Sequence, residues 1–597
     1  MRMRQLQFSC DDVHEFTRFL RLVRRHTQSI PHAKMLFRLL SDTADRSFVE
    51  EAVEALHEQL PDADYLAGST GGNICDGQYV HGPRPTLTVI CSVFEDPDTR
   101  FEVHQFTLNE EHREETCAGL LRLIDERPWV KAIEMLTTII DVSMADFRAD
   151  ISCMREDIEI FGGGVLSSEN VDMFTGLPFV RSSAGDPSGH ATAFVLYGGD
   201  NFHVKTQTIF GWKAFGLPLE ITRAEGPVLY ELDGEPAFDR YHHYLSIEND
   251  EHFTQNALIF PLMIEYEGRS ALKDPLKVGE NGSLYMTSDL AAFHKWCRIA
   301  YGDPSTILDS IKESAIVMQG FSPQGILAFS CAARLMYWGA DGVSYETHPF
   351  QDIAPTAGFY TGGEFARDKG RVLHHNVTLV VAGMREGDSL AVPEDDVEVN
   401  AGEFSRQMAI VHSLAAFIGV VSEELREAYD RMEVIAKTDG LTEVWNRREI
   451  ESLIERAIEV RTEAQGARGV AVVMLDIDDF KKVNDAYGHK AGDDVLRGLG
   501  ALLLRIADEL PSGHAGRWGG EEFMLLFEGT LDDAVEVGQR ICDEFAATAF
   551  PLSGRHTISV GVAQARDGEA VDSLCQRVDA ALYEAKEQGK NRVAVAR

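Results

Sequence analysis

Over residues 1–400, short apolar runs alternate with stretches of helical spacing. Runs such as 86–93 (TLTVICSV), 192–196 (TAFVL) and 377–381 (VTLVV) read as strands. Gly- and Pro-rich loops punctuate them at 67–77 and 355–363. The acidic stretch 385–403 reads as an exposed connector or loop. Beyond it the pattern changes. Val411, Leu414, Ile418, Val421, Leu425, Ala428, Met432 and Ile435 are spaced 3, 4, 3, 4, 3, 4 and 3 apart, which places them on one seam of a helix with a 3.5-residue repeat. Charged residues (Glu423, Glu424, Arg426, Glu427, Asp430, Arg431) take the other faces. The seam has two uses: 411–421 can pack on the preceding domain, and 421–435 suits a parallel dimer.

Residues 437–597 read as strand, helix and hairpin elements. A strand at 470–475 ends at Asp476, and an amphipathic helix covers 493–509. Two strand-like segments then meet at Gly519-Gly520, a pair suited to the positive φ angles of a tight turn. A helix (532–547), a strand (556–563) and a final helix (572–588) follow. The expected architecture is a multidomain α/β (α+β) chain whose last domain has a central sheet with helices on its faces.

The chain has 597 residues, which at roughly 150 per domain suggests about four units. Its 96 Asp and Glu against 56 Lys and Arg give a net charge of 56 − 96 = −40. That balance disfavours a large surface for nucleic-acid polymers or anionic membranes, both of which require many cations. It leaves room for a single nucleotide, where a few local charges suffice. Nine scattered cysteines with no C-x-x-C pair argue against a disulfide framework. The first residues lack the apolar core of a signal peptide, and no apolar run approaches the ~20 residues of a membrane span. The expectation is a reduced, soluble, cytoplasmic protein.

Three acid clusters stand out: Asp476-Ile477-Asp478-Asp479, Asp493-Asp494 and Glu521-Glu522. Carboxylates at a strand end and at a hairpin tip can meet in space, where they repel unless a cation joins them. Oxygen-only ligands suit Mg²⁺. Such a site with Lys or Arg nearby matches the needs of phosphoryl transfer. There is no G-x-x-x-x-G-K-[ST] loop, so phosphates would rest on metal, backbone amides and Lys586 or Lys590. Solvated helix caps are the alternative account of the same acids.

The residues also carry a resemblance. Arg517-Trp518-Gly519-Gly520-Glu521-Glu522-Phe523 is accompanied by Asp439-Gly440-Leu441-Thr442, Asn446-Arg447-Arg448 and Asp476 through Asp485. Tyr487-Gly488-His489, Gly492-Asp493, Ile558 through Ala563, Asp579 through Lys586 and Gly589-Lys590-Asn591-Arg592 complete the series. In that order they resemble the GGDEF domain of diguanylate cyclases, in its GGEEF variant. The resemblance implies condensation of two GTP into cyclic di-GMP with release of two pyrophosphates, each protomer of a homodimer presenting one GTP. It implies Mg²⁺ (or Mn²⁺) held by Asp476, Glu521 and the Ile477 carbonyl, with Glu521 and Glu522 beside the reacting centre. Gly519 and Gly520 would leave space for phosphates. Phe480, Lys481, Lys586 and Lys590 would serve the triphosphate, Lys590 replacing a more usual Arg. Asn484 and Asp493 would read guanine. Many members carry an R-x-x-D product-inhibition site beginning nine residues before the first signature Gly; here that window is Leu510-Pro511-Ser512-Gly513. The expectation is therefore weak or absent feedback by that route. Gly362-Gly363-Glu364-Phe365 imitates the signature but lacks its second acid and its companions.

Residues 30–385 resemble a FIST sensory module. The matching stretches are Gly211 to Gly216, Ile221 to Gly226, Glu231 to Ala237, Phe329 to Arg334 and Gly358 to Phe365. The resemblance implies a sensor of a small ligand, with amino acids or haem as the ligands suggested for the family. His190, His203, His242, His243, His348, His374 and His375 are the candidate haem ligands.

The expected layout is an N-terminal helical extension (1–29), the two FIST parts (30–240 and 241–400), a signalling helix (404–438) and the GGDEF domain (439–597). The expected function is a ligand-regulated diguanylate cyclase. The alternative is a non-catalytic GTP-binding or haem and nitric-oxide sensor acting through protein partners.

Overall fold

The apolar run expected as a strand at 86–93 forms Leu87–Phe94, buried at every position. Because its neighbours must supply hydrogen bonds on both edges, it lies inside a six-stranded sheet, between Arg4–Cys10 and Lys34–Ser41. The computed structural model describes residues 2–30, 32–80, 84–139, 142–166, 178–266, 269–287, 290, 295–368, 370–389, 406–463, 469–566 and 568–596. The chain divides into two compact units, Met1–Glu423 and Glu424–Arg597.

In the first unit, the helices Val13–Thr27 and Ser47–Gln59 bury Phe16, Leu20, Val49 and Val53 against the first sheet. Residues 1–29 are thus not a helical extension: they contribute the edge strand Arg4–Cys10 as well as a helix. A second six-stranded sheet is built around Ala191–Gly198, paired with Arg100–Thr107 and Val130–Thr137. Its far edge comes from Glu364–Asp368 and Arg371–His375. A third sheet pairs Gly325–Cys331 with Thr356–Thr361 and Leu379–Glu386, and takes Asn73–Cys75 from the other end of the unit. The boundary expected at 240/241 therefore separates sequence parts, not folded bodies. Each part lends strands to a sheet of the other. The described residues also include an eight-stranded sheet organised by the long strand Trp212–Glu225.

Leu36, Leu66, Phe161, Tyr197, Phe329 and Phe359 belong to one buried core shared by the first three sheets. Inside it Arg38 donates to Glu134 at 2.6 and 2.7 Å, to Tyr197 Oη at 2.7 Å and to Ser92 Oγ at 2.9 Å. A buried guanidinium survives there because its hydrogen bonds and its charge are both met.

Within the stretch 404–438 the chain forms the helix Arg406–Lys437. Ser422 Oγ accepts from the Gly216 amide at 3.3 Å, and a Cβ added at Gly419 would lie 3.2 Å from Tyr301 Oη. Gly216 and Tyr301 of the first unit thus approach this helix at Ser422 and Gly419, while the seam positions Leu414, Ile418 and Val421 are exposed, so the packing expected of 411–421 is not seen at them. Leu425, Met432 and Ile435 are exposed, Ile435 to 74%. The side chain of Val411 and residues 390–405, with most of the acidic connector, fall outside the description.

In the second unit a five-stranded sheet runs His514–Gly519, Glu522–Glu528, Val470–Ile477, Ile558–Gln564, Val593–Val595. All its pairings are antiparallel except the last. Leu499, Leu503, Ile541 and Phe545 belong to one of its cores, and Ile450, Ile454, Leu574 and Val578 to another. Among the described residues no helix is long and apolar enough to cross a membrane. The nine cysteines are all free thiols.

Candidate active site

The site grows from the central strand of the second unit. Val470–Ile477 is buried throughout and apolar but for Asp476, which stands one residue from the strand's end and is itself buried. Asp476 lies in register with Glu522 on one side and Ser559 on the other. The hairpin turns at Gly519 and Gly520, the latter at φ +43°, a left-handed conformation that glycine adopts without strain. The register and the turn bring Glu521 and Glu522 back toward Asp476.

The electrostatics record that convergence. Burial pushes Asp476 above the usual carboxylate range, against the Lys586 ammonium 2.8 Å away, and Glu521 and Asp478 push it further. Burial also raises Glu522, with Asp476 as the next cause and Glu521 a smaller one. Carboxylates that raise one another in a half-buried pocket form an oxygen donor set suited to a hard divalent cation. Among the described residues no three His, Cys, Asp or Glu side chains form a metal-holding group. The expected set is two carboxylates, Asp476 and Glu521, plus the Ile477 carbonyl, and that donor chemistry fits Mg²⁺.

Asp478, within the same cluster, has a different task. Its carboxylate accepts from Thr557 Oγ1 and Ser559 Oγ at 2.7 Å and from the Asn591 amide at 3.1 Å. It ties the first loop to the C-terminal segment. In the sequence it stands in one acid cluster with Asp476 and Asp479, where nothing nearby marks its partners. Asp479 takes a left-handed conformation at φ 56° and opens the helix Phe480–Tyr487. Lys482 and Lys590 each lie 2.9 Å from it. Phe480 is buried and Lys481 exposed at the start of that helix.

Asn484 stands further along the same helix, and Asp493 lies in the first turns of His489–Glu509. Gly492 lets the two helices meet: a Cβ there would lie 2.0 Å from Asn484 Oδ1 and 3.2 Å from Phe480 Cζ. The hairpin is braced from behind. Arg517 donates to the Gly520 carbonyl at 2.9 and 2.6 Å and to the Asp439 carboxylate at 3.0 and 3.2 Å. Asp439 also accepts from the Thr442 amide and hydroxyl.

In the 510–513 window, Ser512 bonds Glu528 and Gly513 lies tight against the Ala507 carbonyl, where no longer side chain fits. Among the described residues the seven candidate histidines of the first unit form no metal-holding group. His242 bonds the Ile247 carbonyl, His348 bonds Gln78, and His243 packs edge-on against Tyr244. His203 is held below its usual range by burial and by Arg385. His190 Nδ1 has no hydrogen-bond partner, His374 lies against Phe365 and His375 against Phe210.

Comparison with known proteins gives three family matches along the chain. Residues 37–235 match the FIST N domain, 237–367 the FIST C domain, and 436–592 the family described as diguanylate cyclase, GGDEF domain. Diguanylate cyclase DgcM of Escherichia coli K12 is 35% identical over 190 residues, covering 32% of this chain and 43% of that protein. Response regulator PleD of Caulobacter vibrioides is 37% identical over 188 residues, covering 29% and 38%. The chain thus spans less than half the length of these curated relatives. A crystal structure of the coiled coil and GGDEF domain of DgcB from Caulobacter crescentus, in complex with c-di-GMP, is 33% identical; the match covers 32% of this chain and all of that one, with a TM-score of 0.29.

Proposed function

The chain joins a FIST N domain, a FIST C domain and a GGDEF domain in that order, and from this premise we propose that it is a ligand-regulated diguanylate cyclase. One observation carries the reading. The Gly519-Gly520 turn and the Asp476–Glu522 register gather three carboxylates and Lys586 at one end of a strand, the arrangement phosphoryl transfer requires.

In this reading Asp476, Glu521 and the Ile477 carbonyl would hold Mg²⁺ or Mn²⁺, which when bound would supply charge neutralisation for the triphosphate and its α-phosphate. Lys586 and Lys590 complete the cationic side, with Lys481 at the helix entrance. Phe480 closes the floor and the bare backbone at Gly519 and Gly520 leaves room for phosphate oxygens. Asn484 and Asp493 select guanine, because a carboxylate can accept from both the N1–H and the amino group, a pairing adenine cannot offer. Glu521 and Glu522 stand at the attacking 3′-hydroxyl, where a carboxylate can take its proton.

Each site holds one GTP, so two protomers must face each other and the reaction depends on their mutual orientation. The exposed apolar positions Leu425, Met432 and Ile435 supply a seam for a second copy. The contact between Gly216 and Ser422 gives the sensory unit a mechanical hold on the same helix.

The test is formation of cyclic di-GMP from GTP and Mg²⁺, abolished in Glu521→Ala. No turnover under any ligand or dimerising condition would favour the non-catalytic sensor instead.

A further inference from the structure

In the sensory unit the chain crosses from the strand Thr356–Thr361 to Glu364–Asp368, two strands of different sheets, through Gly362 and Gly363. Around this crossing lies a group of buried polar atoms that the protein leaves unmet. Asp274, between Arg269–Lys273 and Pro275–Val278, is 1% exposed, and neither carboxylate oxygen has a hydrogen-bond partner. Asn376 Oδ1, Ser330 Oγ and His374 Nε2 are likewise unpartnered. A Cβ on Gly363 would lie 2.2 Å from His374 Nε2 and 3.1 Å from Asn376 Oδ1, so both border the same glycine. Thr287 Oγ1 links the two sides, accepting from the Asp274 amide at 3.2 Å and bonding Asn376 Nδ2.

Glu364 lies beside the group with both of its oxygens bonded. It is fully buried and accepts from Thr361 Oγ1 at 2.5 Å and from Thr378 Oγ1 at 2.7 Å. Burial pushes it up to about 8, and burial followed by Glu364 drives Asp274 well above its ordinary value. The buried Cys331 thiol is raised by burial and then by both acids. Asp274, Glu364 and Cys331 therefore sense one another through space. Lys273 and Arg334 add positive potential, but neither satisfies an Asp274 oxygen, and Arg334 is committed to Glu346 at 2.5 Å.

A buried carboxyl without a donor is costly in either protonation state, and an orphaned amide oxygen beside it adds to the cost. The orphaned atoms are mostly acceptors. A ligand that satisfies them must bring several N–H donors, and one that also carries a positive charge, as a primary ammonium or an amidinium does, offsets the burial that holds Asp274 and Glu364 neutral and lets them ionise against it. A transition-metal ion is a poorer fit, since no metal-holding group of His, Cys, Asp or Glu forms among the described residues.

We propose that Asp274, Glu364 and Asn376, beside the Gly362-Gly363 crossing, form the binding site for the cationic nitrogen of a small organic amine or amidine. This deepens the sensor reading above and rests on it for the site's purpose, though not for its existence.

The test is thermal unfolding and calorimetric titration of the full chain with n-butylammonium, 1,4-diaminobutane and agmatine, with butyrate and butyramide as anionic and neutral counterparts. At least one amine should raise the unfolding temperature of the sensory unit by several degrees, and the counterparts should not. Asp274→Asn should weaken that amine's affinity by about tenfold or more while its ligand-free unfolding temperature stays at or above the parent's. Should that variant fail to fold, Glu364→Gln takes its place with the same expectation. The proposal is overturned if none of the three amines binds, if butyrate or butyramide stabilises equally, if both variants keep the response, or if Zn²⁺ alone raises the unfolding temperature of the first unit. Cyclic di-GMP output is read separately. An amine that binds and leaves output unchanged removes the sensor reading but not the site; absence of binding removes the site and leaves the cyclase reading intact.

Discussion

Arg517 grips two things at once: the Asp439 carboxylate, at 3.0 and 3.2 Å, and the Gly520 carbonyl, at 2.9 and 2.6 Å. One guanidinium thereby fixes the tip of the Gly519-Gly520 hairpin to the turn that follows the helix Arg406–Lys437. Rotation or displacement of that turn is felt at Gly519 and Gly520. Arg517→Ala is expected to lower cyclic di-GMP formation by about tenfold or more with the unit still folded, because a misplaced hairpin loses orientation, not chemistry. Arg517→Lys should rescue little, since a single ammonium cannot span both acceptors. Steady-state rates and circular dichroism of the two variants check this.

The same pair sets a pH dependence. Burial would raise Asp439, but hydrogen bonds from Thr442 and Arg517 outweigh it and hold its carboxyl below the ordinary range. A carboxylate depressed on folding contributes stability that is fully present above its unfolded value of ~4 and is lost as pH falls through the folded one. Asp439→Asn should therefore destabilise the second unit at pH 7, with the difference shrinking below about pH 4. Urea unfolding of parent and variant across that range measures it.

Gly492 is expected to act through its neighbour. Alanine there places a methyl against the Asn484 amide, which must move aside. Gly492→Ala should raise KM for GTP more than it lowers kcat, with unfolding little changed. Kinetics at saturating and limiting GTP separate the two effects.

Leu510 and Gly513 offer no charge to a product phosphate. Low-micromolar cyclic di-GMP should leave the initial rate unchanged. Introducing Arg at 510 and Asp at 513 should not simply restore inhibition, because Gly513 is pressed against the Ala507 carbonyl. Product titration of the parent enzyme is decisive: strong inhibition would contradict the expectation.

In the sensory unit, Glu134→Ala strands the Arg38 guanidinium inside the core and should cost about 3–5 kcal/mol. Tyr197→Phe, which removes one donor from that network, should cost about 1–3 kcal/mol. Replacing both ions, as Arg38→Met with Glu134→Leu, should cost less than Glu134→Ala alone. Chemical unfolding of the three variants tests the ordering.

These relationships differ in how far the sequence displays them. The hairpin at Gly519-Gly520, the strand ending at Asp476 and the helix now seen as His489–Glu509 are legible because each is fixed by local chemistry: a turn pair, an apolar run, a helical stripe. The strand Arg4–Cys10 escapes because only two of its seven residues are buried, so its alternation is weak and the helix behind it dominates the pattern. The task of Asp478 is hidden within the acid cluster 476–479 because its Thr557 and Ser559 partners are some eighty residues away. The Arg38–Glu134 pair and the Asp274–Glu364 group are invisible for the same reason. Yet the Arg38–Glu134 pair leaves a trace, a charge in the middle of each of two largely apolar segments (KMLFRLLS, VKAIEMLT), which demands a partner somewhere in the fold.

The exposed seam of Leu425, Met432 and Ile435 has a consequence for dosage. If each half of the reaction resides on a separate copy, output follows the number of pairs and not the number of chains. At low abundance, doubling the protein then multiplies the signal up to fourfold, by mass action alone. A cell carrying such a cyclase could set a threshold through expression level, before any ligand arrives.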